Sequence, residues 1–436
     1  MLQFSKRLIP KGIKVTLVLT RFFSTTITST PAASNINIAT ISDGFDEGGM
    51  DAAESPGAFL ATFRDVGSET LAQLIEKFSE AGDPVHCVVY DHCIRWCLHV
   101  AKRFGLVAAA FLTQSCAVDC VYKLVHDGVI KTPPVKEKDG ALRLEGLPPL
   151  TARDLPSFVS DVGSYPGIRD ALVGQFENME DADWVLCNSV YQLEHEAADW
   201  LSKKVPNFIT IGPTIPSMYL DKQLQDDVDY GFSIFKPINE PIKNWLSDKP
   251  NNSVVYVSFG SLAALSAAQM EELYHGLNNS NHYFLWVVRK TEQDKLPQQG
   301  VSPKGLIVSW CPQLEVLASM AVGCFVTHCG WNSVLEAVSL GVPMVAMPQW
   351  TDQPTNAKFI RDVWRVGVKV EGDGGLVRRD EIERCVKEVM EGEKGEEMRR
   401  NCEKFGELVK DAASEGGTSD GNIRRFAGSL IRAVKP

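Results

Sequence analysis

The 436-residue sequence contains no C-x-x-C pair, although it carries 11 cysteines between Cys87 and Cys402. A zinc site therefore has no second half, and no metal is expected. An odd number of scattered thiols suits a reducing compartment such as the cytoplasm. The spacings Cys93/Cys97 and Cys116/Cys120 are helical and read as small buried hydrophobes. No apolar run reaches the roughly 20 residues needed to span a bilayer. Positive charge is in deficit, with 44 Lys and Arg against 55 Asp and Glu, a net charge of −11 and a pI near 5.3. That balance argues against nucleic acid or an anionic membrane as a partner. No G-x-G-x-x-G follows a predicted strand, which disfavours a nicotinamide-dependent oxidoreductase. Solenoid repeats and low-complexity segments are also missing.

What is present is an ordinary globular composition, 44% hydrophobic and 23% charged, in a chain long enough for two cores. Residues 1–42 lack Asp and Glu and include a Ser/Thr cluster from Ser24 to Thr30, a composition that suits a mitochondrial presequence. The structural reading is preferred. Met1 to Leu8 has helical spacing, Pro10-Lys11-Gly12 ends it, and Lys14 to Thr20 is a buried strand. Apolar runs then recur at Val85 to Tyr90, Leu106 to Leu112, Trp184 to Asn188 and Phe208 to Gly212. A second series starts at Ser253 to Phe259 and continues through Tyr283 to Val288, Leu306 to Ser309, Gly323 to Thr327 and Pro343 to Met347. Strands alternating with helices imply α/β domains with parallel sheets. The expected organisation is a first domain over 1–214, a linker over 215–240, a second domain over 241–418 and a final helix over 419–436 that returns to the first domain.

The richest stretch runs from Trp310 to Gln353. His328-Cys329-Gly330-Trp331-Asn332-Ser333 follows a predicted buried strand and precedes a predicted helix. Such a junction leaves backbone N–H groups at the positive end of the helix dipole, an anion site suited to a diphosphate. His328 and Ser333 add side-chain donors. Glu336, one turn into the helix, is placed to accept from ribose hydroxyls. Trp310 ends another apolar run at a loop mouth suited to stacking on a planar base. Asp352 and Gln353 follow a strand at its carboxyl end, where doubly wound sheets bind ligands. Each feature alone has a bland reading as core or cap; their order and spacing together do not.

This stretch resembles the signature box of the plant family 1 UDP-glycosyltransferases. Ile41-Ser42-Asp43-Gly44-Phe45, Gly146-Leu147-Pro148-Pro149-Leu150, Ser258-Phe259-Gly260-Ser261 and Glu415-Gly416-Gly417 extend the resemblance over essentially the whole chain. It implies two Rossmann-like doubly wound domains facing a cleft, the GT-B type. It also implies a UDP-sugar and a small-molecule acceptor as substrates, no cofactor and a monomer. Residue by residue, Trp310 matches the uracil-stacking position and the Cys311 backbone the uracil edge. Gln313 and Glu336 match ribose ligands. His328, Asn332, Ser333 and Ser261 match diphosphate ligands. Trp331, Asp352 and Gln353 match sugar ligands, and Thr113 a residue reaching the sugar from the first domain. A final Gln in the box goes with glucose in this family, so Gln353 favours UDP-glucose.

An inverting transfer needs a base, most often His, to take the proton of the acceptor hydroxyl, and a carboxylate to orient it. Asp91 matches that carboxylate. The family's His lies in a Gly-His-x-x-Pro loop after the first strand, and the sequence contains no such motif. The expectation is therefore a first domain lacking its first strand, its loop and its His base. His92 adjoins Asp91, and His99 lies on the following helix; both are read as structural. The favoured function is transfer of glucose from UDP-glucose to a hydroxyl or carboxyl of a small plant metabolite. The alternative is a truncated, non-catalytic UDP-sugar-binding product of the same family.

Overall fold

The computed structural model describes residues 1–27, 36–132, 140–161, 166–231, 239–297, 302–372 and 375–434. Parts of the Ser24–Thr30 cluster and of the 215–240 stretch lie outside them. The chain forms two compact units, Met1–Ile234 with Asp411–Pro436, and Phe235–Lys410.

In the first unit, β1 (Thr16–Thr20) pairs in parallel with β2 (Asn37–Ile41). A separate parallel sheet runs in the order β3 (Cys87–Asp91), β4 (Val107–Leu112), β5 (Trp184–Cys187), β6 (Phe208–Thr210). The Val-Ala-Ala-Ala-Phe-Leu of β4 is apolar throughout and almost wholly buried, as a central parallel strand covered on both faces must be. The helix Leu2–Leu8 covers this sheet. Its Phe4 packs 5.6 Å from Phe111 of β4 and 5.9 Å from Phe426 of the helix Thr418–Val434. The charged side of the same short helix is tied down as well. Lys6 meets Asp227 at 2.6 Å and Arg7 meets Asp221 at 2.7 Å, so residues 217–229 are fastened to this unit. The guanidinium of Arg7 and its hydrogen bonds hold the Asp221 carboxyl below the usual range, against the effect of burial. A 25-residue helix, Pro56–Glu80, starts from a Ser55 cap with Pro at its first position.

The second unit is a six-stranded parallel sheet. Its strands are β7 (Val254–Ser258), β8 (Tyr283–Val287), β9 (Gly305–Val308), β10 (Val322–Thr327), β11 (Met344–Ala346) and β12 (Gly367–Lys369), in the spatial order β12-β11-β10-β7-β8-β9. From β7 the chain builds outward through β8 and β9, then returns to the other side of β7 with β10. The order therefore reverses between β7 and β10, and the crevice beyond their carboxyl ends is where such sheets take ligands. Both units are α/β with Rossmann-like parallel sheets.

Candidate functional site

The residues flanking that reversal are the loop after β7 and the loop after β10. Gly260 follows β7 with φ +71°, a left-handed conformation that glycine adopts without penalty. A Cβ there would lie 2.9 Å from the His328 ring, and one on Gly330 would lie 2.6 Å from His328 Nε2. The imidazole thus fills the space between two glycines. It donates to the Ser258 carbonyl, while Nδ1 is enclosed. Burial lowers its pKa to about 4, so the ring is neutral at pH 7. For His328 to offer a phosphate a second donor, the ring must take on a proton that its surroundings resist.

Cys329 is also left-handed, at φ +67°, and turns the chain into the helix Trp331–Ser339. Asn332 is exposed at the second position of that helix, whereas Trp331, Ser333 and Glu336 are buried. The helix Gln313–Leu317, entered after β9 and Trp310, brings Gln313 to the same place. Gln313 Nε2 donates to Ser333 Oγ at 2.8 Å and to Glu336 Oε2 at 2.6 Å. Three residues predicted from separate parts of the sequence are thereby joined in one network. Trp310 is half-buried in the loop between β9 and this helix, and Cys311 is buried beside it.

A second network forms after β11. Asp352 accepts from Asn356 Nδ2 at 2.7 Å, from Thr351 Oγ1 at 2.5 Å and from the Trp331 backbone N–H. Burial nevertheless raises its carboxyl above the usual range. Gln353 Oε1 accepts from the backbone N–H groups of Gln349 at 2.8 Å and Trp350 at 3.0 Å. The side-chain oxygen therefore braces its own loop, which leaves the amide nitrogen as the donor end of the side chain. Ser261 is exposed; its carbonyl accepts from Arg289 Nη1, and Arg289 Nη2 reaches the Ala263 carbonyl at 2.5 Å.

The remaining predicted residues belong to the first unit. Asp91 ends β3 and accepts from the Cys93 backbone N–H at 3.0 Å, with 40% of its side chain exposed. His92 is buried; its Nδ1 lies 3.7 Å from Asp91 Oδ1 and 3.3 Å from the Phe111 carbonyl. His99 is exposed on the helix Trp96–Arg103. Thr113 is half-buried just beyond β4. Among the described residues, Asp91, His92 and Cys93 form the single trio whose ligand atoms lie within 4.8 Å of one another. The His92 Nδ1 also contacts the Phe111 carbonyl, and burial pushes the Cys93 thiol well up.

Reading the sequence missed Tyr256, Asn356 and Arg289. Tyr256 carries a signal, because a hydroxyl inside the fully buried β7 must find a partner. Its O–H lies 3.1 Å from Gln313 Oε1 and 3.4 Å from Cys311 Sγ. Asn356 also donates to the Cys329 carbonyl at 2.9 Å, which links the two loops around Asp352.

A parallel sheet that reverses at its first strand, with a helix start after β10 and a polar pair after β11, has the arrangement that the sequence resemblance implies for the donor half of a UDP-sugar-using glycosyltransferase. The comparisons make this specific. Residues 217–413 match the model described as UDP-glucoronosyl and UDP-glucosyl transferase. UDP-glycosyltransferase 74F2 of Arabidopsis thaliana is 48% identical, covering 97% of this chain and 93% of the relative. Flavonol 7-O-beta-glucosyltransferase UGT74F1 of the same plant is 47% identical, over 98% and 94%. The crystal structure of Os79 from O. sativa in complex with UDP superposes with a TM-score of 0.92 at 41% identity, covering 98% of this chain and 96% of that one. The chain belongs to the plant family 1 UDP-glycosyltransferases. No helix among the described residues is long and apolar enough to cross a membrane.

Proposed function

We propose that this chain transfers glucose from UDP-glucose to a hydroxyl or carboxyl of a small plant metabolite, with inversion at the sugar C1. The observation that carries the reading is the Gln313–Ser333–Glu336 network at the start of the helix Trp331–Ser339. It joins the residues proposed as ribose and diphosphate ligands in one hydrogen-bonded network. Related proteins support the donor and the acceptor class: Os79 has been crystallised with U2F and trichothecene, and one 47%-identical relative is named a flavonol glucosyltransferase.

In the proposed reaction the acceptor oxygen attacks C1 opposite the departing UDP. Trp331, Asp352 and Gln353 hold the sugar, with Asp352 accepting from its hydroxyls and the Gln353 amide nitrogen donating. Trp310 stacks on uracil, the Cys311 backbone pairs with the uracil edge, and His328, Asn332, Ser333 and Ser261 surround the diphosphate. The half-exposed carboxylate of Asp91 orients the base that takes the acceptor hydroxyl's proton and stabilises the resulting cation, whereas an ionised carboxyl acceptor needs no base. No metal or cofactor takes part; turnover unchanged by EDTA is the corresponding expectation. A UDP-sugar panel tests the reading. Turnover with UDP-glucose exceeding that with UDP-galactose supports it. Binding of UDP-glucose with no transfer to any phenol or carboxylic acid would favour a non-catalytic UDP-sugar-binding protein instead.

A further inference from the structure

Tyr256 takes no part in the contacts assigned so far, yet its hydroxyl sits behind two of them. It lies on β7, wholly buried, with its ring stacked 4.9 Å from Phe325 of β10. Burial pushes its phenol well above the ordinary value, so the O–H keeps its proton at every working pH. The oxygen of a Gln amide only accepts and its nitrogen only donates. At 3.1 Å the phenol must therefore donate to Gln313 Oε1. This fixes the amide with Nε2 toward Ser333 and Glu336, at 2.8 and 2.6 Å.

The direction of this chain of bonds matters. Because Ser333 Oγ accepts from Gln313, the Ser333 hydrogen points onward as a donor. A carboxylate has roughly four acceptor sites, so the bond from Gln313 leaves Glu336 able to take hydroxyl donors. With the amide reversed, Oε1 would oppose the Glu336 carboxylate and draw the Ser333 hydrogen to itself. Ser333 would then present an acceptor instead of a donor to a nucleotide, and the repulsion would displace the Glu336 carboxylate.

We propose that Tyr256 is a positioning residue for the nucleotide: its hydroxyl sets the orientation of the Gln313 amide and so the donor face of Ser333 and the acceptor face of Glu336. The inference rests on the reading of Gln313, Ser333 and Glu336 as UDP ligands. Successive hydrogen bonds of one sense strengthen each other, so the buried phenol acts on the ligand through two intervening groups.

The test is a double-mutant cycle read as the UDP dissociation constant by calorimetry, using wild type, Tyr256→Phe, Gln313→Met and the double variant. Phe keeps the ring on Phe325, so the melting temperature monitors folding without confounding the result. Tyr256→Phe is expected to weaken UDP about three- to tenfold, the span of one neutral hydrogen bond. In the Gln313→Met background the same change is expected to have no further effect. A merely structural role would weaken UDP equally in both backgrounds, and that additivity would overturn the proposal. So would an unchanged constant for Tyr256→Phe while Gln313→Met weakens UDP. If Gln313→Met itself leaves UDP binding unaltered, the assignment of the nucleotide site fails instead, and the proposal about Tyr256 falls with it.

Discussion

The neutral His328 ring gives the second unit a specific acid sensitivity. Its pKa is lowered from an ordinary 6.5 to about 4 by burial. A folded-state pKa below the unfolded one means that the unfolded chain binds the proton more readily. The stability associated with the neutral ring is therefore fully present above pH 6.5 and is lost as pH falls toward 4. At pH 5 the unfolded imidazole is almost all protonated and the folded one almost all neutral. Relative to pH 8, the folded form loses about 2 kcal/mol on this account. Other groups titrate over the same range, so the measurement is a double difference. Urea unfolding of wild type and His328→Asn is followed at pH 8 and pH 5, on the transition that added UDP moves to higher urea. Asn does not titrate, and it is small enough to sit between Gly260 and Gly330. Its stability relative to wild type should rise by about 2 kcal/mol between pH 8 and pH 5. Parallel pH profiles for the two proteins would refute the reasoning, because they would mean that the folded ring protonates as readily as the unfolded one.

Other perturbations address the neighbouring groups. Asn356→Ala removes donors from the buried Asp352 carboxylate and the Cys329 carbonyl; we expect a loss of about 1–3 kcal/mol in stability and a raised KM for the UDP-sugar, both readable from one preparation. His328→Ala should weaken UDP at least tenfold if the ring serves the diphosphate, whereas an unchanged dissociation constant would leave it a spacer only. Carboxylic acids are ionised at pH 7 and need no base. Asp91→Ala should therefore slow transfer to phenols by up to about 10²–10⁴-fold, the usual contribution of a positioned base, and leave transfer to carboxylic acids little changed; equal losses on the two classes would refute the orienting role.

The central strands were the legible part of this chain. Parallel strands buried on both faces are continuous apolar runs, so β4, β7 and β10 stood out within a residue or two of their ends. The short Gly367–Lys369 strand and the Asn37–Ile41 strand did not, since three residues carry no period and an Asn-Ile-Ala-Thr-Ile run mixes polar with apolar. The residues 217–229 read as linker material because they are rich in Asp and Gln and carry no regular apolar period, but two of those aspartates meet Lys6 and Arg7 more than 200 positions away in the sequence. Local composition holds no record of such a partner. For the same reason the box revealed Gln313, Ser333 and Glu336, whereas Tyr256 was lost in an apolar strand and Asn356 in an ordinary helix.

The enclosure of one imidazole by two glycines has an evolutionary corollary. Gly260 and Gly330 lie on different loops, and a methyl group on either would overlap the same ring. Substituting either glycine while His328 stays pushes the loop apart from the ring. Replacing His328 by a smaller side chain opens room that the glycines no longer require. The three positions therefore do not drift independently. Variants that tolerate alanine at 330 should carry a smaller residue at 328, whereas position 260 stays glycine for its left-handed backbone as well.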